Sequence, residues 1–306
     1  MPDDIEKLHD DEVDIDADLV ARLLAAQYPR WTDRPIGPVT SGTDNITFRL
    51  GDDLAVRLPR TPGTAGQVQL DHRWLPQLGP HLPLAVPQPL EIGEPGEGYP
   101  FSWGVYRWLP GEELELDRVD DPAQVAADLA GFVRSLRALD ATGAPVPSDN
   151  PFDRGTPLAP RDAMFREALD ELRDEFDTAL VLASWERSLA ATPWDDPPVW
   201  IHGDLMSGNL LMADGRLSAV IDFATLRAAD PAGDLLAAWY VFDDAESRRV
   251  YRAEVGLDDD AWARARGWAM SLAMIAIPYY RKRFPDQVSG SPALIADTLA
   301  DFAAEA

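Results

Sequence analysis

Hydrophobic periodicity changes once along the chain, near Gly111, and this change is the feature that most constrains the fold. Upstream, short apolar runs alternate as in β-strands, and the runs at residues 46–50 and 54–58 flank a Gly-Asp-Asp turn typical of a hairpin. Downstream, apolar residues recur at helical spacing from residue 125 to 139. Strands and helices are therefore segregated rather than alternating, which disfavours a Rossmann fold or a TIM barrel.

We predict an α+β chain of two lobes with no linker between them. The N-terminal lobe, residues 1–110, is expected to be β-rich, with an acidic tail and a first helix before its strands. The C-terminal lobe, residues 111–306, is expected to be mostly helical, with one embedded β-hairpin at residues 210–221. The apolar stretch at 268–280 is too short to span a bilayer and predicts a buried helix.

The composition excludes several classes of protein. Cysteine is absent, which removes disulfides and thiolate nucleophiles, and the four histidines are scattered too widely for a zinc cluster. Lys and Arg total 27 against 53 Asp and Glu, a net charge of −26. This charge repels nucleic acid and anionic membranes, and it either attracts a cationic small-molecule partner or serves only to keep the protein in solution. The N-terminus has no apolar run like that of a signal peptide, so we expect a cytoplasmic protein without nucleic-acid, membrane or protein partners.

The segment from residue 199 to residue 222 carries the clearest chemistry. Asp204 follows a short strand on a tight loop, and Asn209 comes five residues later at the start of the next strand. The hairpin then returns the chain, so Asp222 is expected beside Asn209. A carboxylate and an amide oxygen are hard ligands suited to Mg²⁺, which takes few protein ligands besides phosphate. Asp204 can then orient a hydroxyl and accept its proton, as in the catalytic loops of kinases.

Three motifs in this region resemble those of the aminoglycoside phosphotransferase family, the small-molecule branch of the protein-kinase-like fold. They are His202-Gly203-Asp204-Leu205 with Asn209, Ile221-Asp222-Phe223, and Asp230-Pro231-Ala232-Gly233-Asp234-Leu235. The resemblance implies a two-lobed protein-kinase-like fold, with Asp204 as the catalytic base and Asn209 and Asp222 as Mg²⁺ ligands. His202 and Asp234 are interpreted as supports of the catalytic loop, because Asp234 in the first turn of a helix can accept loop N–H groups.

The N-terminal lobe shows weaker parts of the same pattern in the same order. Ser41, Gly42 and Asn45 lie in a segment that looks like the family's nucleotide loop between its first two strands. The resemblance therefore covers roughly residues 35–245. It implies that ATP or GTP is the phosphoryl donor.

Arg57 and Asp71 form the least usual part of the pattern. Arg57 lies at the strand position that holds the α- and β-phosphates, where kinases usually carry Lys, and it can still contact phosphate bidentately. Asp71 lies on the next helix where the family has Glu, one methylene longer. Arg107 and Leu109 look like part of the family's hinge. We expect all four residues at the nucleotide in the N-terminal lobe, and we expect the helical C-terminal lobe to contain the catalytic loop and the site of the phosphoryl acceptor.

These residues predict an enzyme, a kinase that transfers the γ-phosphoryl group of ATP or GTP to a hydroxyl of a small molecule. Only seven residues separate Asp222 from Asp230, too few for the activation loop of a protein kinase. The net charge and the family favour an aminoglycoside acceptor and hence antibiotic resistance. The alternatives are a macrolide, another antibiotic, or a metabolite such as a sugar, homoserine or an amino alcohol. A nucleotide-binding pseudokinase is less favoured, because Asp204, Asn209 and Asp222 are all present.

Overall fold

The computed structural model describes residues 12–42, 44–282 and 284–305. The chain divides into two units, Met1–Gly111 with Ala219–Ala224, and Glu112–Ser218 with Thr225–Ala306. The first division falls one residue after the expected boundary at 110. The short segment 219–224, which the sequence pattern placed in the C-terminal lobe, groups with the first unit. Within that unit, the Val220 amide donates to the Ala85 carbonyl at 2.9 Å.

The first unit contains one antiparallel sheet and two helices. The elements are α1 Ala17–Gln27, β1 Ile36–Ser41, β2 Asn45–Leu50, β3 Leu54–Pro59, α2 Gln67–Leu78, β4 Pro89–Gly93 and β5 Trp103–Arg107. The strand order is β1-β2-β3-β5-β4, with every pair antiparallel. The β-hairpin expected from the Gly-Asp-Asp turn is the pair β2–β3. Because β3 is central, Arg57 is paired on both sides, with Thr47 and with Gly104.

Helix α1 covers one face of the sheet and contributes four buried residues to a hydrophobic core of this unit. Asp16 caps the helix by accepting a hydrogen bond from the Leu19 amide at 2.7 Å. The buried residues of α1 follow helical spacing, and they pack against the inward-facing residues of β2, β3 and β5. The cluster includes Leu19, Val20, Leu23, Leu24, Ile46, Phe48, Leu50, Val56, Leu58, Trp103 and Val105.

The second unit is mostly helical. The elements from this point are β6 Glu112–Glu113, α3 Pro122–Arg137, α4 Asp162–Glu171, α5 Thr178–Leu189, β7 Val199–Ile201, β8 Leu210–Ala213, β9 Arg216–Val220, β10 Arg227–Ala229, α6 Ala232–Leu235, α7 Ala237–Tyr240, α8 Ala245–Val255, α9 Asp259–Tyr280 and α10 Ser291–Ala303. The last residues of β9 belong to the first unit. Helix α9 is buried along most of its length, as predicted for the apolar stretch, and α4, α5, α6 and α10 pack against it. None of the helices in the described residues combines the length and apolar character needed to cross a lipid bilayer.

Short strands hold both ends of the loop at residues 202–209. Strand β7 pairs antiparallel with β10, and β8 lies between β6 and β9. The three strands predicted in this region are the observed β7, β8 and β9. The loop that carries Asp204 therefore begins and ends at hydrogen-bonded strands, which limits how far its backbone can move.

Candidate active site

Arg57 is the centre of a polar network in the first unit. Its side chain on β3 is only 12% exposed. Nη1 donates a hydrogen bond to Asp71 Oδ2 on α2 at 3.3 Å, and Nη2 donates to Asp222 Oδ1 at 2.6 Å. The cation that the sequence assigns to phosphate is thus held between two carboxylates. One is its expected orienting partner and the other is the expected metal ligand.

These carboxylates keep Arg57 charged. Burial by itself lowers the pKa of Arg57, but the negative charges of Asp222 and Asp71 more than offset burial and raise it. Asp71 is 2% exposed, and burial raises its pKa to about 6, although Arg57 and a hydrogen bond from Tyr106 act in the opposite direction. That bond runs from the Tyr106 hydroxyl on β5 to Asp71 Oδ2 at 2.9 Å. Burial and the charge of Asp71 raise the pKa of Tyr106, so its phenol remains a proton donor.

Gln67 connects this network to Asn45. Gln67 precedes Asp71 by four residues on α2, so both side chains lie on one face of the helix. Gln67 Nε2 donates to Asp222 Oδ1 at 3.0 Å, and Asn45 Nδ2 donates to Gln67 Oε1 at 2.7 Å. Asn45 is buried. Its side chain therefore supports Asp222 through Gln67, whereas the sequence pattern placed it directly at the nucleotide.

The backbone of Asp222 adopts the left-handed conformation, with φ of 60°. This region is costly for residues other than glycine, although Asp and Asn tolerate it better than most. Hydrogen bonds from Arg57 and Gln67 hold the side chain in place. Strained residues of this kind cluster at active sites and ligand clamps.

The predicted nucleotide loop is a turn between β1 and β2. Ser41 ends β1, Gly42 is exposed, and Thr43 lies outside the described residues. The Gly42 amide donates to the Asn45 carbonyl at 3.0 Å, and its carbonyl accepts from Arg60 Nη1 at 2.8 Å. The turn thus has the backbone hydrogen bonding of a hairpin.

The predicted hinge residues lie at the end of β5. Arg107 is exposed, and its Nη1 pairs with Asp53 Oδ2 at 3.2 Å. The Trp108 amide donates to the Asp53 carbonyl at 2.9 Å, and Leu109 is half-buried. Arg107 therefore belongs to an exposed ion pair separate from the network around Arg57.

In the second unit, Asp204 and Asn209 are joined directly. The Asp204 side chain is 28% exposed. Asn209 Nδ2 donates to the Asp204 carbonyl at 2.8 Å and to Asp204 Oδ2 at 3.1 Å. Since the amide nitrogen serves Asp204, the amide oxygen is the atom of Asn209 suited to a cation.

Asp234 holds the backbone before Asp204. Its Oδ2 accepts from the His202 amide at 2.9 Å, and its Oδ1 accepts from the Gly203 amide at 2.7 Å. The buried His202 ring accepts from the Asp204 amide at Nδ1, at 3.2 Å. Burial raises the pKa of Asp234, while His202 and the two amide hydrogen bonds lower it. These are the contacts that a loop-supporting role requires.

Gly203 is required by both conformation and space. Its φ is 81°, and a Cβ at this position would lie 3.0 Å from Thr225 Oγ1 and 3.3 Å from the Cβ of Arg154. A side chain here would displace the residue that precedes Asp204. The same distance places Arg154 next to the loop of residues 202–209.

Sequence reasoning missed Arg154, Gln67 and Tyr106. Arg154 Nη2 lies 3.8 Å from Asp204 Oδ1, and its Nη1 donates to the Phe152 carbonyl at 2.8 Å. Nothing in the local sequence signals this, because Arg154 is in a loop far from the motifs along the chain. Gln67 had a usable signal in its spacing of four from Asp71. The position of Tyr106 depends on the pairing of β5 with β3, which local sequence does not specify.

Comparisons with known proteins identify the family and the fold of the chain. A sequence profile of the phosphotransferase enzyme family matches residues 35–268. The chain is 22% identical over 192 residues to Uncharacterized protein YcbJ of Bacillus subtilis (strain 168). That match covers 60% of this chain and 58% of the relative, so the chain spans little more than half of the relative's length.

Solved structures of phosphotransferases share the fold. The GDP and kanamycin complex of APH(2")-IIia has a TM-score of 0.69 at 22% identity, covering 92% of this chain and 98% of that one. The GDP complex of wild-type aminoglycoside 2'-phosphotransferase-IIIa has a TM-score of 0.67 at 22% identity, covering 92% and 98%. Macrolide 2'-phosphotransferase MphH from Brachybacterium faecium has a TM-score of 0.58 at 24% identity, covering 90% and 98%.

At these identities the structural likeness shows the fold, and it confirms the predicted α+β class. The family resemblance read from the motifs is confirmed by the profile, which spans the sheet of the first unit, the loop of Asp204 and the first ten of the 22 residues of α9. The chain belongs to the phosphotransferase enzyme family.

Proposed function

We propose that the protein is a small-molecule O-phosphotransferase that moves the γ-phosphoryl group of ATP or GTP to a hydroxyl. Asp204 is the observation that carries this proposal. Its carboxylate is partly exposed, while the backbone beneath it is held by Asp234 and His202. General-base catalysis requires a carboxylate that is exposed and held in place, because the acceptor hydroxyl must meet it in one fixed orientation.

In the proposed reaction, Asp204 orients the acceptor hydroxyl and takes its proton. The acceptor oxygen forms a bond to the γ-phosphorus as the bond from that phosphorus to the leaving oxygen of the diphosphate breaks. Asn209 holds Oδ2 of Asp204 at 3.1 Å and keeps the carboxylate from rotating. Positioning and charge stabilisation supply most of the rate in phosphoryl transfer, so a fixed carboxylate is favourable.

Asn209 and Asp222 are the residues we propose for Mg²⁺. They offer one amide oxygen and one carboxylate, a small donor set of the kind that Mg²⁺ takes when phosphates and water complete its shell. When bound, Mg²⁺ would neutralise charge on the phosphates.

Arg57 is the residue we propose for the nucleotide phosphates in the first unit. It is kept cationic by Asp71 and Asp222, and its guanidinium has further N–H groups beyond those two hydrogen bonds. Gly42 contributes an exposed turn without a side chain. Asp71 and Asn45 act through other residues, Asp71 by orienting Arg57 and Asn45 by supporting Gln67.

The acceptor is proposed at two levels. A small molecule with a free hydroxyl follows from the short segment between Asp222 and Asp230. An aminoglycoside is the finer hypothesis, supported by the net charge of −26 and by the kanamycin bound to one structural neighbour. The macrolide phosphotransferase neighbour supports the alternative of a macrolide. Net charge is a property of the whole surface, and salt screens it beyond about 8 Å, so groups near Asp204 discriminate more sharply.

The test combines nucleotide binding with turnover. Thermal unfolding is followed with MgATP and MgGTP, and diphosphate release is then measured with aminoglycosides, macrolides, sugars, homoserine and amino alcohols. Asp204→Asn removes the base while keeping size and polarity. Asp214→Asn is the matched control, because Asp214 lies in the exposed β8–β9 turn in a left-handed conformation that Asn also tolerates.

The expected result is stabilisation by one Mg-nucleotide and acceptor-dependent turnover. Asp204→Asn should lower kcat by about 10²–10⁴-fold with little change in nucleotide affinity, since a general base contributes about this much. Asp214→Asn should match the parent. Nucleotide binding without turnover on any acceptor would favour the pseudokinase. Equal turnover in Asp204→Asn and the parent would remove Asp204 from catalysis.

A further inference from the structure

Arg161 is a buried arginine without a carboxylate partner among the residues that the structure describes. It is 0% exposed, and its hydrogen bonds go to neutral groups, from Nε to Ser271 Oγ at 2.9 Å and from Nη1 to the Pro151 carbonyl at 2.7 Å. Its guanidinium lies 4.6 Å from the ring centre of Trp268. Its buried Nη2 has no hydrogen-bond partner in the described part of the chain. Burying a cation in this way is costly unless a negative charge is supplied.

Arg154 places a second cation on the same aromatic ring and beside the candidate base. Its guanidinium lies 5.9 Å from the ring centre of Trp268, and its Nη2 lies 3.8 Å from Asp204 Oδ1. Its Nε is also buried and has no hydrogen-bond partner among the described residues. Burial, followed by the like charge of Arg154, lowers the pKa of Arg161 to about 10. The two guanidinium groups therefore lie close enough to repel each other.

This cluster lacks one negative charge. Among the described contacts, Asp204 is the one carboxylate placed against Arg154, and none is placed against Arg161. Asp153, next to Arg154 in sequence, pairs with Arg227 at 2.9 Å, and Asp230 pairs with Arg264 at 2.6 Å. Two cations thus face one carboxylate, and an anionic group from a ligand would balance them.

Tyr240 is the fourth member of this cluster and offers a neutral donor. Burial raises its pKa to about 12, with Arg154, Asp204 and Arg161 as the charges that act on it. The phenol therefore lies within electrostatic range of all three groups and stays protonated at neutral pH. A hydroxyl and two guanidinium groups form a donor set that matches a carboxylate or a phosphate.

The geometry at Asp204 assigns this anion to the acceptor. Oδ2 of Asp204 accepts from Asn209, the residue proposed for Mg²⁺, whereas Oδ1 lies near Arg154. The two sides of the carboxylate thus have different partners, the metal side and the arginine side. Residues 152–161, the end of α7 and the middle of α9 form the arginine side, within the helical lobe expected to bind the acceptor.

We propose that Arg154, Arg161 and Tyr240 bind an oxyanion of the acceptor, a carboxylate or a phosphate close to the hydroxyl that is phosphorylated. This rests on the proposed kinase function and narrows its substrate class. The proposal disfavours the polycationic acceptor suggested by the net charge, because a cationic group bound beside Arg154 and Arg161 would be repelled by both arginines.

The first test measures anion binding without nucleotide. The Nε–H resonance of Arg154, identified by its loss in Arg154→Lys, is followed while sodium acetate, sodium phosphate or sodium chloride is added at matched ionic strength. We expect saturable shifts with acetate and phosphate and none with chloride. Arg161→Met should weaken acetate binding about 10-fold or more, as expected for one charge-assisted hydrogen-bond donor. Arg173→Met is the control, because Arg173 is exposed in the turn after α4 and pairs with Asp170 three residues earlier.

Several outcomes would overturn the proposal. Identical, unsaturable shifts with acetate and chloride would show that no oxyanion site exists. If Arg161→Met fails to fold, Arg154→Met provides the same test, with acetate binding followed through the Tyr240 ring resonances. An acetate affinity of Arg154→Met equal to that of the parent would also contradict the proposal. A loss of acetate affinity in Arg173→Met as large as in Arg161→Met would show a general effect of charge.

A second titration separates the acceptor from the nucleotide as the source of the anion. It is repeated with Mg²⁺ and a non-hydrolysable ATP analogue. Acetate affinity within about twofold of the nucleotide-free value is expected if the site belongs to the acceptor. Competition between acetate and the analogue would assign the arginines to the γ-phosphate and contradict the proposal. Absence of Mg-nucleotide binding would contradict the kinase function, and the first titration would still be readable.

Discussion

Arg57 lies closer to Asp222 than to Asp71, with Nη2–Oδ1 at 2.6 Å and Nη1–Oδ2 at 3.3 Å. The arginine that replaces the usual lysine therefore bridges two carboxylates with two different nitrogens. A planar guanidinium can do this because its nitrogens are fixed in a fork, whereas a lysine ammonium is a single point charge. The short side chain of Asp71 is compatible with this geometry, since Arg57 supplies the reach.

This bridge predicts that Arg57→Lys impairs the protein even though lysine is the common residue there. One ammonium cannot hold both Asp71 and Asp222 at these positions, so we expect MgATP affinity to fall about 10-fold or more. Arg57→Ala should lose nucleotide binding and turnover together, and Asp71→Ala should lose less of both. Titration calorimetry measures the affinities. Arg49→Lys on β2 is the control, and a fully active Arg57→Lys would show that only positive charge matters.

The raised pKa of Asp71 predicts a pH dependence of stability. Its pKa is about 6 in the folded chain and about 3.9 when unfolded, so the folded state binds more protons between these values. The contribution of Asp71 to stability is therefore present below about pH 4 and decreases as the pH rises to 6, by roughly 3 kcal/mol at most. Asp71→Asn removes this dependence.

Urea unfolding of the parent and of Asp71→Asn checks the prediction. It is measured from about pH 5 to about pH 7, the range in which Asp71 loses its proton in the folded chain. The free energy of unfolding of the variant minus that of the parent should increase with pH over this range. Asp214→Asn at the exposed turn should show no such trend. A flat difference for Asp71→Asn would mean that Asp71 is ionised throughout.

The proposed metal ligands predict unequal effects on nucleotide binding. Asp222→Ala should abolish Mg²⁺-dependent ATP binding, because the carboxylate carries the charge and also holds Arg57. Asn209→Ala should weaken binding less, because an amide contributes only a dipole, and it should lower kcat because Asp204 loses its orienting hydrogen bonds. Calorimetry with MgATP in both variants is the measurement. Unchanged binding in both would place the metal elsewhere.

The hydrogen bonds of Asp234 predict that replacing it destabilises the loop that carries Asp204. Asp234→Asn replaces one of two acceptor oxygens with an NH₂ group, which would face the amide of His202 or Gly203. An unsatisfied buried donor costs about 1–3 kcal/mol, so the free energy of unfolding should fall by about that amount. Chemical denaturation measures it. Asp177→Asn is the control, because Asp177 is an N-cap at α5, where Asn caps as well as Asp. Equal stability of both variants would contradict the role of Asp234.

Several parts of this molecule follow from local sequence alone. The hairpin β2–β3, the helix α3 and the buried helix α9 are set by residue spacing and turn chemistry, which act over a few residues. The placement of Asp204, Asn209 and Asp222 at the ends of short strands also follows from the sequence, because each lies within a few residues of a strand that its local pattern predicts. Such features need no knowledge of the tertiary structure.

Other features are decided by packing between distant segments. Asn45 meets Gln67, and Arg57 meets Asp222, only because the sheet, α2 and the segment 219–224 come together in one unit. Arg154 reaches Asp204 across 50 residues of chain, with Gly203 leaving room for its Cβ. Hydrophobic spacing specifies which face of an element is buried, but it does not specify which polar side chains from other elements will share that burial. The set of charged groups around Asp204 is therefore a property of the folded chain, which the net charge of the sequence does not specify.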